Sequence, residues 1–143
     1  MIRVVLDTNV IVSGVVGIRR SASVPGQILN LFHAKEIEVI TSDALLAEIE
    51  RTLSLDYFTQ RTERLDREMA LDVLRTYGVK ITLTVTVEGV ASHPEDDLIL
   101  ATALSAQVDY LVTGDKQLLA RDGYEGLSIV SPRAFLDLLE GTA

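Results

Sequence analysis

Ile2-Arg3-Val4-Val5-Leu6-Asp7 is the stretch that decides the fold. Its apolar, β-branched run lacks the polar–apolar alternation of a half-buried strand, so it reads as a strand covered on both faces. A carboxylate follows at once. The pattern recurs at Asp109–Thr113, with Asp115 two residues on. Similar runs lie at Ile37–Thr41, within Val79–Val87, and at Leu127–Val130. Helical periodicity separates them. Gln27–Lys35 sets Ile28, Leu31 and Phe32 on one face. Ser42 or Asp43 can cap a helix carrying Leu45, Leu46, Ile49 and Leu53. Thr62–Tyr77 carries Leu65, Met69, Val73 and Leu74 and ends at Gly78. Pro94 opens a helix to about Gln107, Lys116–Arg121 is a short one, and Ser131-Pro132 opens the last with a Ser cap and Pro at the first helical position. Tyr57 and Phe58 fall in a break. Ser13–Gly26, with Gly14, Gly17, Arg19, Arg20 and Pro25, reads as a mobile loop beside the end of the first strand. The order β-α-β-α-α-β-α-β-α-β-α predicts an α/β fold with a parallel sheet covered on both faces.

The 143 residues fit one domain, 1–143, and 48% of them are hydrophobic, which excludes a disordered acidic tail. The absence of Cys excludes a disulfide framework, a thiolate zinc site and a cysteine nucleophile. Two histidines, His33 and His93, are too few for a His-rich metal site. The longest uncharged stretches, Thr8–Ile18 and Leu98–Val108, fall short of the ~20 apolar residues of a membrane span. Asp7 interrupts what would be the apolar core of a signal peptide, so a cytoplasmic location is expected. A net charge of −8 argues against a broad basic surface for nucleic acid.

The positions of the acids carry more information than their number. If the first and fourth strands are parallel, Asp7 and Asp115 lie on the same sheet edge, where ligands bind in open α/β sheets. Each could instead cap the helix that follows. Pro94-Glu95-Asp96-Asp97 opens a helix that is otherwise uncharged. Acids there favour the helix dipole, yet three in a row repel one another unless a cation is near. Mg²⁺ and Mn²⁺ choose such oxygen ligands. Glu48 and Glu50 flank the apolar stripe of their helix on opposite sides, and periodicity does not choose between them.

Leu6-Asp7-Thr8-Asn9-Val10-Ile11-Val12-Ser13, Leu45-Leu46-Ala47-Glu48, Asp96 through Ala101-Thr102-Ala103-Leu104, and Leu111-Val112-Thr113-Gly114-Asp115 together resemble the ordered motifs of a PIN domain. Ile129-Val130-Ser131-Pro132-Arg133-Ala134-Phe135-Leu136 is similar to a subgroup containing toxins of type II toxin–antitoxin systems. The resemblance implies a PIN-like sheet of five parallel strands in the order 3-2-1-4-5. It places Asp7, Glu48, Asp96 and Asp115 at the family's acidic metal-binding positions. Asp97 ranks behind Asp96 as a further metal ligand, because relatives often carry Asn or an apolar residue there. Asn9, Ser13 and Thr113 match polar positions that orient the acids or contact phosphate. Arg19, Arg20, Arg51 and Lys116 are candidate substrate contacts, with solvated surface charge as the plainer account of each.

The implied activity is Mg²⁺- or Mn²⁺-dependent hydrolysis of RNA, leaving 5′-phosphate and 3′-hydroxyl ends, with single-stranded or looped RNA as the substrate. A small antitoxin protein, homodimerisation and a toxin role follow from the same resemblance. If the acids gather around divalent cations, the net charge no longer opposes a nucleic-acid substrate. Two other functions compete. Asp7-Thr8-Asn9-Val10 is similar to the Asp-x-Asp-x-Thr/Val motif of haloacid dehalogenase-like phosphatases, with Asp7 as nucleophile, although Asn9 cannot serve as their general acid. A non-catalytic scaffold that binds RNA or protein is the other.

Overall fold

The structure is a computed structural model that describes residues 1–91, 93–121 and 123–141, apart from the Glu95 side chain. Its elements, in chain order, are β1 (Arg3–Leu6), α1 (Thr8–Val16), α2 (Val24–His33), β2 (Glu38–Thr41), α3 (Asp43–Leu53), α4 (Asp56–Thr59), α5 (Arg64–Tyr77), β3 (Val79–Lys80), α6 (Pro94–Ala106), β4 (Tyr110–Val112), α7 (Lys116–Ala120), β5 (Ser128–Val130) and α8 (Pro132–Gly141). The five strands form one sheet in the order β3-β2-β1-β4-β5, all parallel, as expected.

The chain moves one way across the sheet from β1 to β3, crosses back to β4, and continues to β5. Right-handed crossovers then place the intervening helices on opposite faces. α1 packs against α2, α3 and α5, and α2 against α8, while α6 packs against β1, β2 and β4. This two-sided cover is why β4, and β1 past Arg3, read as apolar runs: Val4, Val5, Leu6, Leu111 and Val112 are all buried.

The expected loop at Ser13–Gly26 is corrected: its first residues continue α1 and its last begin α2. α1 hid because β-branched residues are weak helix formers, and because Val10, Ile11, Val12, Gly14 and Val15 are all buried, which leaves little visible period. Glycine lets the two helices close: a Cβ on Gly14 would lie 2.9 Å from the Pro25 carbonyl oxygen and 3.2 Å from Leu29 Cβ. The break at Tyr57 and Phe58 is also corrected, to the single turn α4. The third strand is shorter than its apolar run. After the Ile81 N–H donates to the Thr41 carbonyl, the Thr84 and Val85 N–H groups donate to Ser105 Oγ, so the chain leaves the sheet for α6. Ser42 is the cap of α3, accepting from the Leu45 N–H at 3.2 Å. No helix of the described residues is long and apolar enough to cross a membrane.

Candidate metal centre

The winding reverses between β1 and β4, the place in such sheets where ligands bind. Leu6 is paired with Val112, and the Asp7 N–H donates to the Val112 carbonyl at 2.9 Å, so Asp7 and Thr113 leave the sheet side by side. Both are buried, at 3% and 0% exposure. Thr113 Oγ1 donates to Asp7 Oδ2 at 2.6 Å and accepts from the Asp115 N–H at 3.0 Å. One hydroxyl thus ties the Asp7 carboxylate to the main chain of Asp115, the second acid predicted at this edge.

Their environments differ. Asp115 is the cap of α7, its Oδ1 accepting from the Gln117 and Leu118 N–H groups at 2.8 and 3.0 Å. Capping therefore explains one of its oxygens. Asp7 stands at the cap position of α1, but its side chain makes no capping hydrogen bond. Burial pushes its carboxyl above the usual carboxylate range. The Thr113 hydroxyl and the nearby N–H groups of Thr8 and Asn9 pull it down, and the Asp115 charge pushes it up. A buried carboxylate facing a second negative charge is stabilised by a cation.

The other predicted residues fall into distinct groups. Glu48, in the middle of α3, and Asp96, in the first turn of α6, are half-buried. Among the described residues no three His, Asp or Glu side chains are close enough to form a ready-made metal cage. Asn9 and Ser13 lie four apart on α1, hence on one face, and are the exposed positions of that helix apart from half-buried Val16. With Val10, Pro25, Gly114 and Pro132 they line a cleft of about 170 Å³. Arg19 is held elsewhere, by Asp66 at 2.9 Å and Glu63 at 3.1 Å on the α5 side, and Asp66 raises its pKa further. Arg20, Arg51 and Lys116 are exposed.

Asp97 has other partners. It is 7% exposed, and its carboxylate accepts from three consecutive backbone N–H groups, those of Gly89, Val90 and Ala91, at 3.0, 3.1 and 2.7 Å. A carboxylate offers about four acceptor positions, so the loop takes most of them. Nothing in the sequence signals this, because the partners are main-chain groups. Sequence reasoning also passed over Thr8, whose Oγ1 is buried with no hydrogen-bond partner among the described residues. Its place beside Asp7 was the available clue.

These residues fit a hydrated divalent cation. Mg²⁺ keeps several waters and is usually held by one or two carboxylates, which Asp7 and Asp115 could supply without a three-acid cage. The buried Thr8 hydroxyl is a polar group that such water would satisfy. A cavity of about 750 Å³ lies elsewhere, lined by Gln27, Leu31, Leu136 and Leu139, and none of the predicted acids lines it.

No curated protein matches the chain significantly in sequence. Among solved structures it is similar to a chain in the crystal structure of VapBC2 from Rickettsia felis bound to a DNA fragment from their promoter. The TM-score is 0.57, with 18% identity over 91% of this chain and 98% of that one, a likeness of fold. Residues 3–117 match the family model for the PIN domain, and the chain belongs to the PIN-domain family, whose members are generally nucleases that use divalent metal ions.

Proposed function

We propose that the chain is a Mg²⁺- or Mn²⁺-dependent endoribonuclease. The observation that carries this is the Asp7–Thr113–Asp115 linkage at the β1/β4 edge. Asp7 and Asp96 would be central metal ligands, Asp115 a direct or water-bridged one, and Glu48 a ligand or a base that positions water. A divalent ion there would activate water and stabilise charge on the phosphoryl and leaving oxygens. Thr113 donates to Asp7 and so favours its ionised, metal-binding form. Asn9 and Ser13, which line the same cleft, would donate to a phosphate oxygen. Lys116 and Arg51 would meet the backbone charge of the substrate. Arg19 serves less well, since Asp66 and Glu63 already hold it. No observation favours the phosphatase alternative, whose motif needs a second acid where this chain has Asn9.

We further propose that the chain is a cytoplasmic, homodimeric toxin neutralised by a small antitoxin. The similarity of Ile129–Leu136 to the toxin subgroup and the fold likeness to VapBC2 support this, and a buried carboxylate facing a second negative charge suits a basic antitoxin segment.

The test incubates the purified chain, free of copurified protein, with single-stranded RNA and Mn²⁺ or Mg²⁺. Cleavage to 5′-phosphate and 3′-hydroxyl ends is expected, abolished by EDTA and by Asp7→Asn. Absence of RNA cleavage overturns the proposal, and equal activity in Asp7→Asn overturns the site. Cleavage of DNA alone would overturn the substrate. The toxin role predicts growth arrest on expression of the wild type and not of Asp7→Asn, and a short antitoxin-like reading frame beside the gene.

A further inference from the structure

The segment from 81 to 91 runs outside the sheet between β3 and α6 and is tied down at both ends. Ser105, near the end of α6, accepts from Thr84 and Val85. Asp97, in the second turn of α6, accepts from Gly89, Val90 and Ala91. Gly89 adopts φ +68°, in the left-handed region that favours glycine, which helps three successive N–H groups converge on one carboxylate. A buried charge is tolerable only when so satisfied. The same segment is gripped from a second side: Arg121, the C-cap of α7, donates from Nη2 to the Val90 carbonyl at 2.9 Å. The first turn of α6 carries Asp96, and α7 begins at its cap Asp115. Residues 89–91 are therefore a common anchor for the two helices whose starts present Asp96 and Asp115.

We infer that Asp97 and Arg121 are positioning residues that set the spacing of Asp96 and Asp115 through this anchor, an inference that rests on the metal-dependent reading above. Asp97 acts through the main chain of 89–91 and is not itself a metal ligand. Charge-assisted bonds to three N–H groups hold the α6 side, and the Arg121 bond holds the α7 side. Either loss frees one helix start relative to the other.

The test is Mn²⁺ titration calorimetry of the whole chain, with thermal unfolding alongside. Asp97→Asn is expected to weaken Mn²⁺ binding about tenfold, the scale of a lost supporting partner. Arg121→Gln, whose amide donor falls two bonds short of the reach of Nη2, is expected to weaken it severalfold, with Arg121→Lys, which keeps a donor of nearly full reach, close to wild type. The Asp97→Asn/Arg121→Gln double variant should lose less than the product of the two, because both act through one anchor. Arg121 is exposed, so its variants remain informative if Asp97→Asn does not fold. Wild-type affinity in Arg121→Gln alongside a loss in Asp97→Asn would make Asp97 a direct ligand and overturn the inference. Lower melting temperatures with unchanged Mn²⁺ affinity in both would leave a purely structural role and overturn it too. Those outcomes leave the metal reading intact if Asp7→Asn loses binding. No Mn²⁺ binding by the wild type would overturn both.

Discussion

Thr113→Val removes a hydroxyl and keeps the shape. It deletes the 2.6 Å bond to Asp7 and the 3.0 Å bond from the Asp115 N–H, in a fully buried position. A hydrogen bond to a charged group contributes about 1.5–3 kcal/mol. Converted to binding, that is roughly 10–150-fold, which overlaps the ~10–100-fold typical of a lost partner behind a metal ligand. Mn²⁺ affinity measured by calorimetry at neutral pH should therefore fall at least about tenfold. The direction with pH is also set. The Thr113 bond favours ionised Asp7, so its loss raises the Asp7 pKa further, and the acid limb of metal binding moves to higher pH. Thr113→Ser is the control. It keeps both bonds and loses a methyl from a buried site, costing about 1 kcal/mol of stability while leaving Mn²⁺ affinity near wild type. If Thr113→Val binds Mn²⁺ as the wild type does, with the acid limb unmoved, the linkage does not support the site and the reasoning fails.

Asp7→Asn should raise the melting temperature of the metal-free protein at neutral pH. Asp7 is raised above its ordinary 3.8, so the native state keeps its proton longer and stability falls as pH climbs from 3.8 through the folded value. The gain should fade toward pH 3.8, and an unchanged or lower neutral-pH melting temperature would refute it. Gly26→Ala puts a Cβ 2.3 Å from the Gly17 carbonyl oxygen, a backbone atom that cannot swing away. A loss of at least about 1–3 kcal/mol in urea unfolding is expected, and wild-type stability would show that the α1–α2 junction yields. Ser42→Ala deletes the α3 cap and should cost about 1 kcal/mol in the same measurement, with Mn²⁺ affinity unchanged.

The strand order was legible because each strand is short, apolar and followed by a helix, and because the motifs appear in family order. α1 was not. Thr8–Val16 is buried on nearly all sides, and periodicity signals a helix only where one face meets water. The third strand was legible only as lying somewhere within its run. Val79–Val87 has strand composition, but its N–H groups past Ile81 turn to Ser105, a partner 20 or more residues away.

For the site, the chain order alone identified Asp7 and Asp115 as acids following two strands, and parallel pairing put them on one edge. Sequence also distinguished which residue types could hold a hard cation, since that follows from side-chain chemistry. Tertiary structure decided how those acids are used. It brought Thr113 onto the Asp7 carboxylate, a contact across 106 residues that no local pattern encodes. It gave one Asp115 oxygen to a helix cap, tied Arg19 to Asp66, and committed Asp97 to the main chain of 89–91. A side chain's identity sets what it can bond, but which partner it meets depends on the packing of distant segments, and that is settled only when the chain has folded.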